Sequence, residues 1–90
     1  MTAREKRTIT IDVHINGEYN GSTKRDNMTA KQAIKLGQTI AKNYARGNHS
    51  HIMVFVHFGE LAIADMTART EQEAPTYRKH IELDTRIYNI

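Results

Sequence analysis

The first clear pattern in the chain is a strict alternation of apolar and polar side chains from residue 8 to residue 15. The apolar positions are Ile9, Ile11, Val13 and Ile15. A period of two is typical of a strand with one buried face. Asn16-Gly17 follows directly, and this pair accepts the positive φ angles of a type I′ turn, which predicts a hairpin. The returning residues 18–23 are polar where they face the isoleucines, which predicts a short edge strand or an irregular loop.

Residues 29–46 change to a helical period. The positions that share one helix side are Ala30, Ala33, Ile34, Gly37, Ile40, Ala41 and Tyr44. Thr29 and Gln32 have the spacing of a capping box, and Gly47 is suited to end the helix. Gly37 lies inside the apolar stripe, where glycine costs about 1 kcal/mol relative to alanine. We therefore expect the helix to approach the sheet closely at Gly37.

The second half of the chain predicts three further strands. Residues 51–58 form a continuous run rich in β-branched and aromatic side chains, and Gly59-Glu60 after them fits a type II′ turn. A two-residue loop would pair Val56 with Ile63 and would leave both faces of the hairpin apolar. After Pro75, which ends a strand, residues 77–90 alternate again and predict a last, long strand.

The order β-(β)-α-β-β-β predicts an α+β fold in two layers. We expect a mostly antiparallel sheet of four to five strands with one long helix packed on one face. Ninety residues, of which 39% are hydrophobic and 26% charged, suit one folded domain over residues 1–90. Residues 1–6 are expected to form a flexible basic arm that carries Arg4 and Lys6.

Four cations of the predicted helix fall within roughly 60° of one another, beside its apolar stripe. They are Lys31, Lys35, Lys42 and Arg46. Lys24 and Arg25 extend this surface if the preceding segment curls toward the start of the helix. The formal net charge is +3. These features predict contact with the phosphates of a nucleic acid or with an acidic protein or nucleoprotein, and four phosphate contacts correspond to a log-log salt slope of about −3.6. The chain lacks the motifs of base-specific readers and the stacking platform of single-strand binders.

One helix covers only one face of a sheet, so the predicted hairpin leaves apolar residues on the other face. They are Met53, Phe55, Ala62, Ala64 and Met66. A contiguous apolar patch on a small domain marks an interaction site, and a self-complementary patch gives a two-fold dimer. We therefore predict a homodimer or a protein contact through this face. The alternative is that the N-terminal arm or residues 70–74 fold over it.

Catalytic signals are few. The chain has five histidines and no cysteine. Either His14 with Asp12 or His80 with Glu82 has the spacing of an imidazole oriented by a carboxylate, which is the basis of a third hypothesis, a histidine-dependent ribonuclease. The dispersed glycines form neither a P-loop nor a dinucleotide fingerprint, and no set of metal ligands converges. We predict no enzyme activity, cofactor, metal or small-molecule substrate.

No apolar stretch is long enough to cross a bilayer, so a cytoplasmic location is expected, that of the host if a phage encodes the protein. In size, basic balance and single-helix layout the chain resembles the small accessory proteins of phages and mobile elements, including several anti-CRISPR inhibitors. That resemblance implies a protein that acts by occupying a surface. The hypotheses, in order, are a nucleic-acid-binding protein, a phage-type inhibitor of a host protein or nucleoprotein, and the ribonuclease.

Overall fold

The computed structural model describes residues 2–47, 51–73 and 78–90, which form one five-stranded antiparallel sheet and one helix. The elements are β1 (Lys6–Ile15), β2 (Glu18–Thr29), α1 (Ala30–Arg46), β3 (Ile52–Phe58), β4 (Leu61–Glu73) and β5 (Arg78–Ile87). The strand order across the sheet is β2-β1-β3-β4-β5, and α1 packs on one face, chiefly over β3 and β4. The predicted α+β fold is therefore confirmed.

The core lies between α1 and the alternating apolar positions of β1 and β3, together with the buried residues of β4. The fully or almost fully buried positions of β1 and β3 are Ile9, Ile11, Val13, Ile52, Val54, Val56 and Phe58. The turn between β1 and β2 has φ of 51° at Asn16 and 85° at Gly17, so both residues take the predicted left-handed conformation. The face of the sheet opposite α1 carries the residues that alternate with the buried positions, such as Asp12 on β1 and Phe55 on β3, and we call it the open face.

The returning strand β2 corrects the expectation of a short edge strand or loop. It pairs with β1 over most of its twelve residues, although most of its side chains are exposed. Its position at the edge explains its polar sequence, because α1 covers mainly the centre of the sheet. The pairing is interrupted by register shifts between Arg7 and Ile9 and between Val13 and His14. An edge strand is held by its backbone ladder and needs few apolar side chains.

The hairpin of β3 and β4 begins as predicted but then changes register. Phe58 pairs with Leu61, and Gly59 has the positive φ of 62° that the turn requires. Ile63 is then an extra residue, so Val56 pairs with Ala64 and not with Ile63. Because a shift of one residue moves every later side chain to the other face, the predicted pairing is wrong beyond this bulge.

Gly37 is in close contact with the sheet, as expected. A Cβ atom at this position would lie 2.7 Å from Val56 Cγ2 and 3.0 Å from Met66 Sδ. The close approach of backbone and sheet is therefore the feature that requires glycine in the middle of α1.

The predicted final strand, residues 77–90, corresponds to β5, which ends at Ile87. Pro75 lies outside the described residues. β4 continues to Glu73, so the polar residues 70–73 belong to a strand and do not cover the open face.

Candidate nucleic-acid interface

The helix presents its four cations to solvent. Thr29 caps α1, since its side chain accepts a hydrogen bond from Gln32 N while Gln32 Oε1 accepts one from Thr29 N, and the chain turns away at Gly47. The buried side of α1 consists of Ala33, Ile34, Gly37, Ala41 and Ala45. The exposed cations on the flank beside it are Lys31, Lys35, Lys42 and Arg46, which we call the cationic stripe.

The cationic stripe is long and carries a single sign of charge. At a rise of about 1.5 Å per residue, it extends for about 22 Å from Lys31 to Arg46. The helix contains no acidic residue. The ion pairs among the described residues are Arg7 with Glu5 and Arg86 with Asp65, so no cation of the stripe is paired within that part of the chain. Arg46 donates a hydrogen bond to Asn43 Oδ1 at 3.2 Å, which leaves its charge uncompensated.

An apolar groove runs beside the first half of the stripe. It has a volume of about 570 Å³ and is lined by Thr2, Ala3, Ala30, Lys31, Ile34, Lys35, Gln38, Ile87 and Ile90. Ile87 is 54% exposed and Ile90 is 61% exposed. Gln38 Nε2 donates to Thr85 Oγ1 at 3.1 Å across the gap between helix and strand. The stripe therefore borders the edge of the sheet that β5 forms.

Lys24 and Arg25, which were expected to extend the stripe, lie elsewhere. Both residues are in β2, the edge strand far from β5. Lys24 pairs with Thr10 of β1, so its side chain lies on the open face, and Arg25 pairs with Ile9 of β1. The flank of α1 toward β2 carries Tyr44, whose hydroxyl accepts a hydrogen bond from Asn20. The pairing of β2 with β1 places Lys24 and Arg25 away from the stripe. The sequence of β2 has no apolar alternation from which this register could be predicted.

The expected basic arm, residues 1–6, overlaps the start of β1. Lys6 is already the first residue of β1, and Arg4 is exposed. The Arg7 guanidinium lies 4.9 Å from the centre of the Phe58 ring and forms an ion pair with Glu5. The flexibility predicted for residues 1–6 stays a prediction.

The open face keeps part of the apolar patch that the sequence predicted. Met53, Phe55 and Ala62 are half-buried on it. Ala64 and Met66 are instead fully buried in the core beneath α1, because the bulge at Ile63 turns them toward the helix. The predicted patch is therefore smaller than the sequence indicated, and its two most buried members are core residues.

The bulge also brings a carboxylate onto the open face. Asp65 is 9% exposed and accepts two hydrogen bonds from Arg86, at 3.0 Å from Nε and 2.9 Å from Nη2. Hydrogen bonding to Asp65 raises the pKa of Arg86, and burial, followed by the charge of Asp65, raises the pKa of Tyr88. Sequence reasoning missed this pair because it placed Asp65 opposite Val54.

The histidines lie apart. His14 packs edge-on against Phe55 and Tyr19, and Asp12 accepts a hydrogen bond from Ser22. Three strand spacings and four residues along the sheet separate His14 from His80, which corresponds to roughly 19 Å. The two imidazoles therefore cannot act on one phosphodiester as an acid-base pair. No group of three or more potential metal ligands converges among the residues that the structure places.

Neither a family model, nor a curated protein, nor a solved structure matches the chain. In the described ranges, no helix has both the length and the apolar character that crossing a membrane requires.

Proposed function

We propose that the protein is a non-enzymatic nucleic-acid-binding protein that docks the cationic stripe of α1 on phosphates, with little readout of base sequence. The observation that carries this proposal is the exposure of four cations on one flank of a helix without acidic residues. A stripe of about 22 Å corresponds to six or seven nucleotide steps of about 3.4 Å along a duplex strand.

The position of Lys31 supports a role in binding over a role in folding. It lies in the first turn of α1, where the helix dipole is positive and where an acidic residue would be favourable. A cation at this place works against the stability of the helix. Its presence is understandable if an anionic ligand compensates for it.

The proposal is tested with two double variants that change the net charge equally. Lys35→Glu with Lys42→Glu alters the stripe, and Lys24→Glu with Arg25→Glu alters β2, which lies away from the stripe. Because each phosphate contact contributes about 0.9 to the salt slope on a duplex, we expect the parent slope to approach −3.6 and the stripe variant to lose about half of it.

Binding is measured by fluorescence anisotropy with labelled single-stranded and duplex oligonucleotides over a series of salt concentrations. The β2 variant controls for net charge and should retain most of the affinity. Circular dichroism verifies that both variants are folded. Equal loss of affinity in the two variants, or a folded stripe variant that binds as well as the parent, contradicts the proposal.

The open face favours a second candidate, a phage-type inhibitor that binds a host protein or nucleoprotein. Met53 and Phe55 are half-buried at the centre of this face, with charged side chains around them, and such a patch resembles the centre and rim of a protein interface. Substitution of Phe55→Ser should abolish capture of a host protein and leave oligonucleotide binding unchanged. Loss of oligonucleotide binding in a folded Phe55→Ser protein contradicts this assignment of the two faces.

A further inference from the structure

The outer edge of β5 has backbone groups available for another strand. Tyr88 N donates a hydrogen bond to Ile63 O at 2.9 Å. Together with the register of β4 and β5, this bond shows which residues of β5 direct their backbone groups toward β4. In an antiparallel pair, every second residue directs its N–H and C=O groups away from the neighbouring strand. The residues so directed are Ile81, Leu83, Thr85 and Ile87.

The two edges of the sheet differ in their protection. Edge strand β2 is interrupted by two register shifts, and Asn27 within it has a φ of 60°. Strand β5 instead pairs with β4 in ten consecutive steps without a shift. Proteins normally prevent pairing at a long regular edge with bulges, prolines or short strands. β5 has none of these interruptions, and its charged side chains carry both signs, so it can receive a strand whose charges are complementary.

We propose that β5 pairs antiparallel with β5 of a second copy, about a two-fold axis at Thr85, so that the two sheets become one sheet of ten strands. This register places Asp84 opposite Arg86 of the second copy, and Arg86 opposite its Asp84, on the open face. Opposite charges in directly facing positions stabilise a strand pair.

Neighbouring registers are less favourable. A two-fold axis at Leu83 places Glu82 opposite Asp84, and one at Asp84 places that carboxylate opposite itself. An axis at Ile81 faces His80 with Glu82 but separates Leu83 from Ile87. The register centred on Thr85 is selected because it combines facing opposite charges with contact between Leu83 and Ile87.

The same register buries apolar surface on the helix side. Leu83 meets Ile87 of the second copy, and Ile87 is 54% exposed in the protomer. Arg86 is able to serve both carboxylates, because a guanidinium has five N–H groups and Asp65 uses two of them. Dimerisation thus uses an apolar contact on one face and two ion pairs on the other.

The dimer would also join the two cationic stripes, and this consequence rests on the proposed function. Gln38, at the midpoint of α1, donates to Thr85, so the two-fold axis passes level with the middle of each helix. Both helices lie on the same sheet face, and with α1 over β3 and β4 their axes would be about 20 Å apart. Since helices in contact are 8–10 Å apart, a trough about 10 Å wide would remain between the stripes.

Strand pairing is tested directly with Thr85→Cys. Facing residues of a hydrogen-bonded antiparallel pair have Cα atoms about 5.5 Å apart, which a disulfide spans. The chain has no other cysteine, so a cross-linked dimer reports this contact alone. The control is Thr23→Cys on β2. We expect cross-linking under mild oxidation for Thr85→Cys only, and equal or preferential cross-linking of the control overturns the proposal.

A charge variant provides a second test in solution. Asp84→Arg places two arginines opposite each other at both symmetric positions and should raise the dimer dissociation constant at least about tenfold in analytical ultracentrifugation. Glu18→Arg on β2 is the matched control and should retain the parent value. A parent protein that is monomeric at millimolar concentration, or a dimer that Asp84→Arg does not weaken, overturns the proposal.

These measurements contain no nucleic acid, so they separate the two proposals. A dimer that binds no oligonucleotide contradicts the proposed function and leaves the strand pairing intact. A monomer that binds oligonucleotides through the stripe contradicts the strand pairing and leaves the proposed function intact.

Discussion

At the scale of single residues, the distance between helix and sheet is set by the smallest side chain in the contact. Gly37 lies over Val56 and Met66, both of which are fully buried. Alanines on the same side of α1 are also fully buried, at positions 33, 41 and 45. Small residues bring the helix backbone near the strands, and the bulky side chains of β3 fill the space beneath it.

We predict that Gly37→Ala destabilises the protein by about 1 kcal/mol. The added methyl group gains up to about 1 kcal/mol in helix propensity, but an overpacked core costs about 1–3 kcal/mol. Urea denaturation measures the difference. The exposed substitution Thr39→Ala is the control for propensity and should be neutral or stabilising.

The contact with Val56 is isolated by a double-mutant cycle. If the clash with Val56 Cγ2 at 2.7 Å is the cause, then Gly37→Ala combined with Val56→Ala should cost less than the sum of the two single changes. Additive costs would show that the clash lies elsewhere.

At the scale of elements, one inserted residue decides what each face of the sheet carries. The bulge at Ile63 sends Ala64, Met66 and Ala68 to the core and sends Asp65 to the open face. Without it, the carboxylate of Asp65 would point at the apolar side of α1, where burial of an unpaired charge is costly. In α1, the apolar side is buried against the sheet, and the charged flank is exposed to solvent.

For the helix, we predict that Lys31→Glu strengthens folding and weakens binding at the same time. A negative charge near the N-terminus of α1 is favourable by roughly 0.5–1 kcal/mol relative to the lysine, while the stripe loses one phosphate contact. Thermal unfolding and oligonucleotide anisotropy are measured on the same sample. A variant that loses stability as well as affinity would contradict this interpretation of Lys31.

At the scale of the whole molecule, the two edges of the sheet differ. The edge formed by β2 is irregular, and the edge formed by β5 is regular and borders the cationic stripe. Dimerisation and nucleic-acid binding would therefore be coupled in the proposed assembly. The two stripes repel one another across the trough, whose width of about 10 Å is comparable to one Debye length at physiological salt. A bound polyanion removes that repulsion.

The coupling predicts that a single-stranded oligonucleotide tightens the dimer by the same factor by which dimerisation tightens oligonucleotide binding. Analytical ultracentrifugation with and without oligonucleotide gives the first factor, and anisotropy on the parent and on Asp84→Arg gives the second. Unequal factors at equilibrium, or a dimer that the oligonucleotide dissociates, would rule out the shared trough.

The sequence by itself determined the elements of this protein and most of its layers. Alternation identified β1 and β5, and a continuous β-branched and aromatic run identified β3. The capping box of Thr29 and Gln32 fixed the start of α1, and Gly37 in the apolar stripe predicted the close approach to the sheet. It also identified the exposed cations of the stripe. These features depend on interactions between residues near in the chain, which leave a period or a short motif in the sequence.

The tertiary structure alone decided the register and the edges. Three features depend on which strands pair: the bulge at Ile63, the length of β2 and the ion pair of Asp65 with Arg86. The periodicity of the sequence within one element does not specify strand pairing. For the same reason Ala64 and Met66 moved into the core, and Lys24 lies away from the stripe. Strand pairing joins residues distant in the chain, and a shift of one position reverses the face of every side chain that follows.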